Sequence, residues 1–185
     1  SFARHYDRVE AVLGVARARA ELLGGNARVV ARGCEALGLV HHGPLRRNAP
    51  DCDGQGVCCF GCPTEAKRST NVSYVPLALR AGAELYAGCR VERILVEQGR
   101  AVGAVARAAS GREVVVRANA VIVAGGAVMT PTLLRRNGLA ASSGQLGRNL
   151  SIHPAAGLLA EFEERIAGWD GIPQGYGIED LVDDG

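Results

Sequence analysis

The chain has 185 residues, enough for one domain with a sizeable core or for parts of two. Its formal net charge is +2 with both signs interspersed, so no basic block points to nucleic acid, and Arg46-Arg47 and Arg135-Arg136 read as solvated surface. No apolar run reaches the ~20 residues needed to span a bilayer, and 25 Gly against 4% aromatics favours tight turns over a large aromatic core. The chain opens Ser1-Phe2-Ala3 without Met, so the lack of a leader there carries no weight.

In chain order, Val9, Val12, Leu13, Ala16, Ala20 and Leu23 recur at three- and four-residue spacing and predict a helix from Arg8 to Leu23, ended by Gly24-Gly25. Asn26 is placed to cap a second helix, in which Val29, Val30, Cys34 and Leu37 cluster and Gly38 is the stop. A loop rich in Gly, Pro, Asn and Cys follows from His41 to about Lys67, a length that in a compact domain signals function or a clamp. Ser69 or Thr70 then caps a helix through Leu79, with Pro76 as a kink and Gly82 as the end. Glu84–Tyr86, Arg90–Val96, Ala101–Arg107 and Glu113–Arg117 read as strands, and Gln98-Gly99 and Ser110-Gly111 make antiparallel hairpins. Ala120–Ala124 is apolar at every position, as a strand buried on both faces of a parallel sheet would be. Gly125-Gly126 follows it. Thr130 is then the expected N-cap and Pro131 the first residue of a helix to Arg136, stopped by Asn137-Gly138. Ala155–Phe162 reads as the start of a strand in another layer.

The 120–138 unit has the physical makings of a nucleotide site. A buried strand delivers the chain to a sheet edge, two glycines admit close approach to a ligand, and a helix N-terminus favours phosphate. An ordinary αβ connection that needs Gly for tight packing is the alternative. The residues themselves are more specific. Gly126-Ala127-Val128-Met129-Thr130-Pro131-Thr132-Leu133-Leu134 followed by Asn137-Gly138 resembles a signature of the glucose–methanol–choline (GMC) oxidoreductases, with Arg135 and Asn137 as mild departures. Ala87–Ile94 resembles the segment in which a family Val lends its backbone to the flavin adenine, matched here by Val91. Gly147-Arg148-Asn149-Leu150-Ser151-Ile152-His153-Pro154 resembles the family's Gly-x-Asn-Leu-x-x-His-Pro stretch. His153 reads as a structural or hydrogen-bonding residue, because the family's catalytic His lies far downstream.

Four of the six cysteines fall in Cys52-Asp53-Gly54-Gln55-Gly56-Val57-Cys58-Cys59-Phe60-Gly61-Cys62-Pro63. Spacings of six and four, with glycines between, suggest soft-metal or iron–sulfur ligation by Cys52, Cys58 and Cys62. Free thiols or a loop-stabilising disulfide are the alternatives. The stretch Gly56–Ser69 also resembles the Cys-x-x-Gly-Cys-x-x-Gly-Ala-Lys loop of bacterial long-chain alcohol oxidase-like members, with Glu65 where Gly is usual. The same three-Cys spacing resembles sugar dehydrogenases of the family, in which it implies a three-iron cluster serving an electron-acceptor subunit.

The resemblance implies an α/β fold with α+β elements: part of an FAD-binding Rossmann-like domain with antiparallel hairpins over 1–150, and the start of a substrate domain over 151–185. It implies FAD as cofactor, held by Val91, Ala124, Gly125, Gly126 and Thr130, and an alcohol or sugar as substrate, oxidised by hydride transfer to the flavin. No G-x-G-x-x-G occurs, and the family's pyrophosphate-binding unit is expected ahead of Ser1. The catalytic His pair is expected after Gly185, so no catalytic residue is assigned. The ending Asp183-Asp184-Gly185 reads as a stop in mid-sequence, and a chain so bounded is expected neither to hold FAD tightly nor to turn over. Two other classes fit parts of the pattern. One is an FAD-linked flavoprotein of succinate dehydrogenase-like type, and the other a non-enzymatic metal-binding module built on the Cys loop.

Overall fold

The structure is a computed structural model that describes residues 2–181; Asp183-Asp184-Gly185 lies outside the described residues. It is mixed α/β, with three small antiparallel sheets. Two compact units form: one from the residues up to Ala83 together with those from Leu159 onward, the other from Glu84 to Leu158.

In the first unit, helix α1 (Ala3–Leu13) ends ten residues before the expected stop. Gly14 turns left-handed (φ 60°), its N–H bonds back to Glu10 and Ala11, and a Cβ there would stand 2.9 Å from Pro50 Cγ. The apolar spacing that runs on to Leu23 crosses strand β1 (Ala16–Arg17) and a 3-10 turn (Ala20–Leu22) instead. Helix α2 (Gly25–Leu37) begins after Gly24, and Gly38 closes it in the left-handed conformation as expected. Asn26 is not its cap: it sits inside the first turn and donates through Nδ2 to the Pro173 carbonyl at 2.8 Å. The expected loop contains two short strands, β2 (His42–Pro44) and β3 (Arg46–Arg47). β1 pairs with β3, and β2 pairs with β7 (Tyr176–Ile178), a partner more than 130 residues away that no local pattern reveals. Leu23, Ala27 and Ile172 form the core here, with Leu22, Cys52 and Tyr176 against it. Ile172 is fully buried, which contributes about 1.5–3 kcal/mol. Helix α3 (Tyr74–Arg80) starts later than expected because the chain first turns at 70–73. Pro76 therefore falls in the first turn, where no intrahelical N–H bond is lost.

The second unit is a meander. Strand β4 (Cys89–Glu97) pairs with β5 (Arg100–Ala108), and β5 pairs with β6 (Glu113–Arg117), matching the expected hairpins to within a residue or two. Gln98 (φ 49°) and Gly99 (φ 76°) make the first turn, and Gly103, Val105 and Ala106 of β5 are buried. Glu84–Tyr86 is not a strand. Ala120–Ala124 belongs to no strand among the described residues, and Ile122 is 90% exposed. The apolar run thus lies in no parallel sheet among the described residues. Ala155–Phe162 is likewise exposed and outside any strand. Helix α4 (Gly126–Arg136) starts four residues before the expected Thr130 cap, so Thr130 and Pro131 lie inside it. Pro131 is tolerated because its clash falls on the Ala127 carbonyl, still in the first turn, where displacement costs least.

Candidate functional site

Helix α4 is held on β4 by one side chain. β4 bulges between Val91 and Arg93, leaving Glu92 out of register with β5. Asn137, just past the end of α4, fills that irregularity. Its Nδ2 donates to the carbonyls of Glu92 (3.2 Å) and Leu133 (2.9 Å), and its Oδ1 accepts from the Ile94 N–H (3.0 Å). A groove of ≈ 390 Å³ lies between strand and helix, bordered by Arg90, Val91 and Glu92 on one side and by Met129, Thr132, Leu133 and Arg136 on the other. Val91, singled out in the sequence for the adenine, therefore shares one groove with the helix that follows the glycines.

The entry to that helix carries the other predicted residues. Ala124 is exposed. Gly125 is the N-cap residue, and a Cβ on it would stand 3.4 Å from the Thr130 N and Oγ1, so the structure brings Gly125 and Thr130 together. Gly126 has φ 80° with open space where a Cβ would stand. No side chain caps α4 and no acid lies in its first turn, which leaves its leading N–H groups for an anionic or polar ligand. These features fit the adenine or phosphate portion of a dinucleotide. On the other side of α4, Gly147 packs against Pro131 and Arg135, and Arg135 Nη2 donates to the Leu146 carbonyl at 3.3 Å. A second groove of ≈ 650 Å³ runs between α4 and the 145–151 segment. His153 lies exposed beyond it, and no hydrogen bond of its side chain is seen among the described residues.

The Cys loop is clamped at its neck. Arg68 N–H donates to the Asn48 carbonyl (2.7 Å), Asn48 Nδ2 returns a bond to Arg68 (3.3 Å), and Arg68 pairs with Asp51 at 2.7 Å. Gly56 (φ 74°) lets the loop lie against Trp169, where a Cβ would fall 1.9 Å from the carbonyl oxygen. The three cysteines picked out for metal have separate surroundings. Cys52 packs on the Leu23–Ile172 core. Cys58 Sγ accepts from Arg47 Nη2 at 3.8 Å. Cys62 Sγ accepts from the Lys67 N–H at 3.4 Å, a bond that, with the Thr64 hydroxyl, holds its thiol below the usual range. Among the described residues no three His, Cys, Asp or Glu side chains stand together to hold a metal, and all six cysteines are free. As placed, these three thiols do not stand together as the ligands of an iron–sulfur cluster would.

The structure also joins residues that the sequence left unconnected. His42 Nδ1 meets the Tyr176 hydroxyl at 2.7 Å, and His41 meets Asp180 through its backbone N–H (2.6 Å) and Nδ1 (3.0 Å). Burial raises the Asp180 carboxyl, but the His41 N–H and imidazole and the Val40 N–H outweigh it and hold it low. Trp169 is mostly exposed, whereas half-buried Tyr176 packs beside the core.

An uncapped helix entered through glycines and tied to a bulged strand is the site's frame, and comparison with known proteins gives its family. The GMC oxidoreductase family profile matches residues 1–155, and the chain belongs to that family. It is 40% identical to a GMC-type oxidoreductase of Mycobacterium tuberculosis (strain ATCC 25618 / H37Rv), over 96% of this chain and 28% of that protein. A GMC-type oxidoreductase of Sinorhizobium fredii is 38% identical over 78% of this chain and 28% of its own length. A long-chain-alcohol oxidase of Arabidopsis thaliana is 39% identical over 71% of this chain and 18% of its own. The chain thus spans less than a third of the relatives it matches. Family membership decides against the succinate dehydrogenase-like and free-standing metal-module readings.

Proposed function

We propose that this chain forms the adenine side of the flavin site in an FAD-dependent oxidoreductase that oxidises a CH–OH group. The observation that carries the proposal is the groove shared by Val91 and α4, within a segment that belongs to the GMC family. FAD, when bound, supplies the hydride acceptor for the alcohol carbon. On this reading Val91 lends its backbone to the adenine. Ala124, Gly125 and Gly126 let the main chain approach the cofactor, and Thr130 supports that turn from inside α4. The N-terminal end of α4 offers partial positive charge to the cofactor's polar edge. The part before residue 150 serves FAD in a Rossmann-like domain and the part after it opens the substrate domain. That division follows ligands and differs from the compact units formed by contacts. No residue of this chain is assigned the catalytic base.

The long-chain-alcohol oxidase among the relatives favours an alcohol over a sugar. The Cys loop is read as a clamped loop of free thiols, which leaves the electron acceptor unassigned. The test is anaerobic titration of the full-length protein with long-chain primary alcohols and with hexoses. Bleaching of the flavin's visible band by alcohols is the expected result. Flavin that no CH–OH donor reduces would sink the proposal. Iron and acid-labile sulfide in stoichiometric amount would restore the cluster on Cys52, Cys58 and Cys62.

A further inference from the structure

The first unit contains a cavity that the flavin reading does not use. It measures ≈ 200 Å³ and is bordered by Arg17, Arg19 and Arg47 and by apolar Leu22, Pro50 and Ile172. No acidic side chain is among its lining residues. Glu21 reaches Arg19 Nε at 3.6 Å but does not border the cavity. Arg17 donates one bond to the Pro44 carbonyl and Arg19 one to the Cys52 carbonyl, which leaves each guanidinium further N–H groups. Arg47 is the telling residue. Its Nη2 makes only the long contact to Cys58 Sγ, and its Nη1 is buried with no hydrogen-bond partner among the described residues. A buried guanidinium N–H without an acceptor is costly, and three cations around one apolar cavity lower the cost of bringing in an anion.

We infer that this cavity is a binding site for a small organic carboxylate, its carboxylate on Arg47 and its hydrocarbon chain against Leu22, Pro50 and Ile172. A guanidinium fork suits a carboxylate through paired N–H bonds. The cavity volume of ≈ 200 Å³ corresponds to about seven groups of water size at ~30 Å³ each, the bulk of an acid with five or six carbons. The site does not depend on the flavin reading, because none of its residues belongs to α4 or β4.

The test uses the full-length protein and hexanoate, read by hydrogen exchange in peptides covering 16–22 and 47–52, with Arg47→Lys and Ala49→Leu as variants. Ala49 also lines the cavity, so Ala49→Leu fills it while keeping every charge. The expected result is slowed exchange in both peptides with hexanoate. Affinity should fall by about tenfold or more in Arg47→Lys, as loss of a charge-assisted fork implies, and protection should vanish in Ala49→Leu. Should Arg47→Lys not fold, Ala49→Leu and the ligand comparisons still decide. Unchanged exchange in the unmodified protein overturns the inference, as does equal protection by hexan-1-ol, which would make the cavity merely apolar. Equal protection by inorganic phosphate would mean the hydrocarbon wall adds nothing, and also overturns it.

Discussion

Asn137 is the residue on which the second unit's architecture turns. Its amide satisfies the Glu92 carbonyl and the Ile94 N–H of β4, and at the same time closes α4. Asn137→Ala leaves the half-buried Ile94 N–H unpaired and should cost about 1–2 kcal/mol, read as a lower denaturant midpoint with unchanged slope. Asp180 acts on the first unit in a way that depends on pH. Its carboxyl is held below the ordinary range by His41, so the stabilisation is present above the unfolded value of ~3.9 and is lost as pH falls through the folded value. Protection factors of the amides in Tyr176–Ile178, corrected for the intrinsic pH dependence of exchange, should therefore fall on acidification from about pH 4 downward, and Asp180→Asn should show the lower protection already at neutral pH. Exchange that ignores both changes would mean the pair does not hold β7.

At the scale of elements, the hairpins were legible because their turns are local. Gln98-Gly99 supplies two left-handed residues between alternating strands, and that chemistry needs no distant partner. α4 was legible in kind but not in its start: Thr-Pro is a familiar helix opening, yet Pro131 is tolerated at the sixth position, so the helix reaches back to Gly126. The helix expected over 8–23 failed for a related reason. Leu23 is apolar because it packs on Ile172, far away in sequence, and its spacing from Val9 imitated one helical face across the Gly14 break. The clamp on the Cys loop shows the same dependence on distant chain. Gly56→Ala would drive a Cβ into the Trp169 carbonyl from a left-handed backbone, and should cost roughly 1–3 kcal/mol, read as a lower thermal midpoint.

At the scale of the whole molecule, the candidate site was legible in parts. Val91, Gly125, Gly126 and Thr130 were named from motif resemblance, and the fold places Val91 on one groove with α4, and Gly125 beside Thr130 at its entry. The Asn137 tie and the arginine-lined cavity were not legible, because each depends on side chains meeting across strands or across long stretches of sequence. The three cysteines are grouped by spacing in the sequence, whereas in the fold Cys52 packs on the core, Cys58 meets Arg47 and Cys62 meets the Lys67 N–H. Ala120–Ala124 shows the reverse, an apolar run whose character suits a buried parallel strand although no strand lies beside it among the described residues. The central claim is that the entry to α4 belongs to a flavin site, and flavin content tests it most directly. Full-length protein should purify with one FAD per chain. Gly126→Asp, which sets a carboxylate and a strained left-handed backbone at the uncapped helix start, should release most of it while the fold persists by circular dichroism. Full-length protein without flavin, or a Gly126→Asp protein that retains its full complement, would contradict the account.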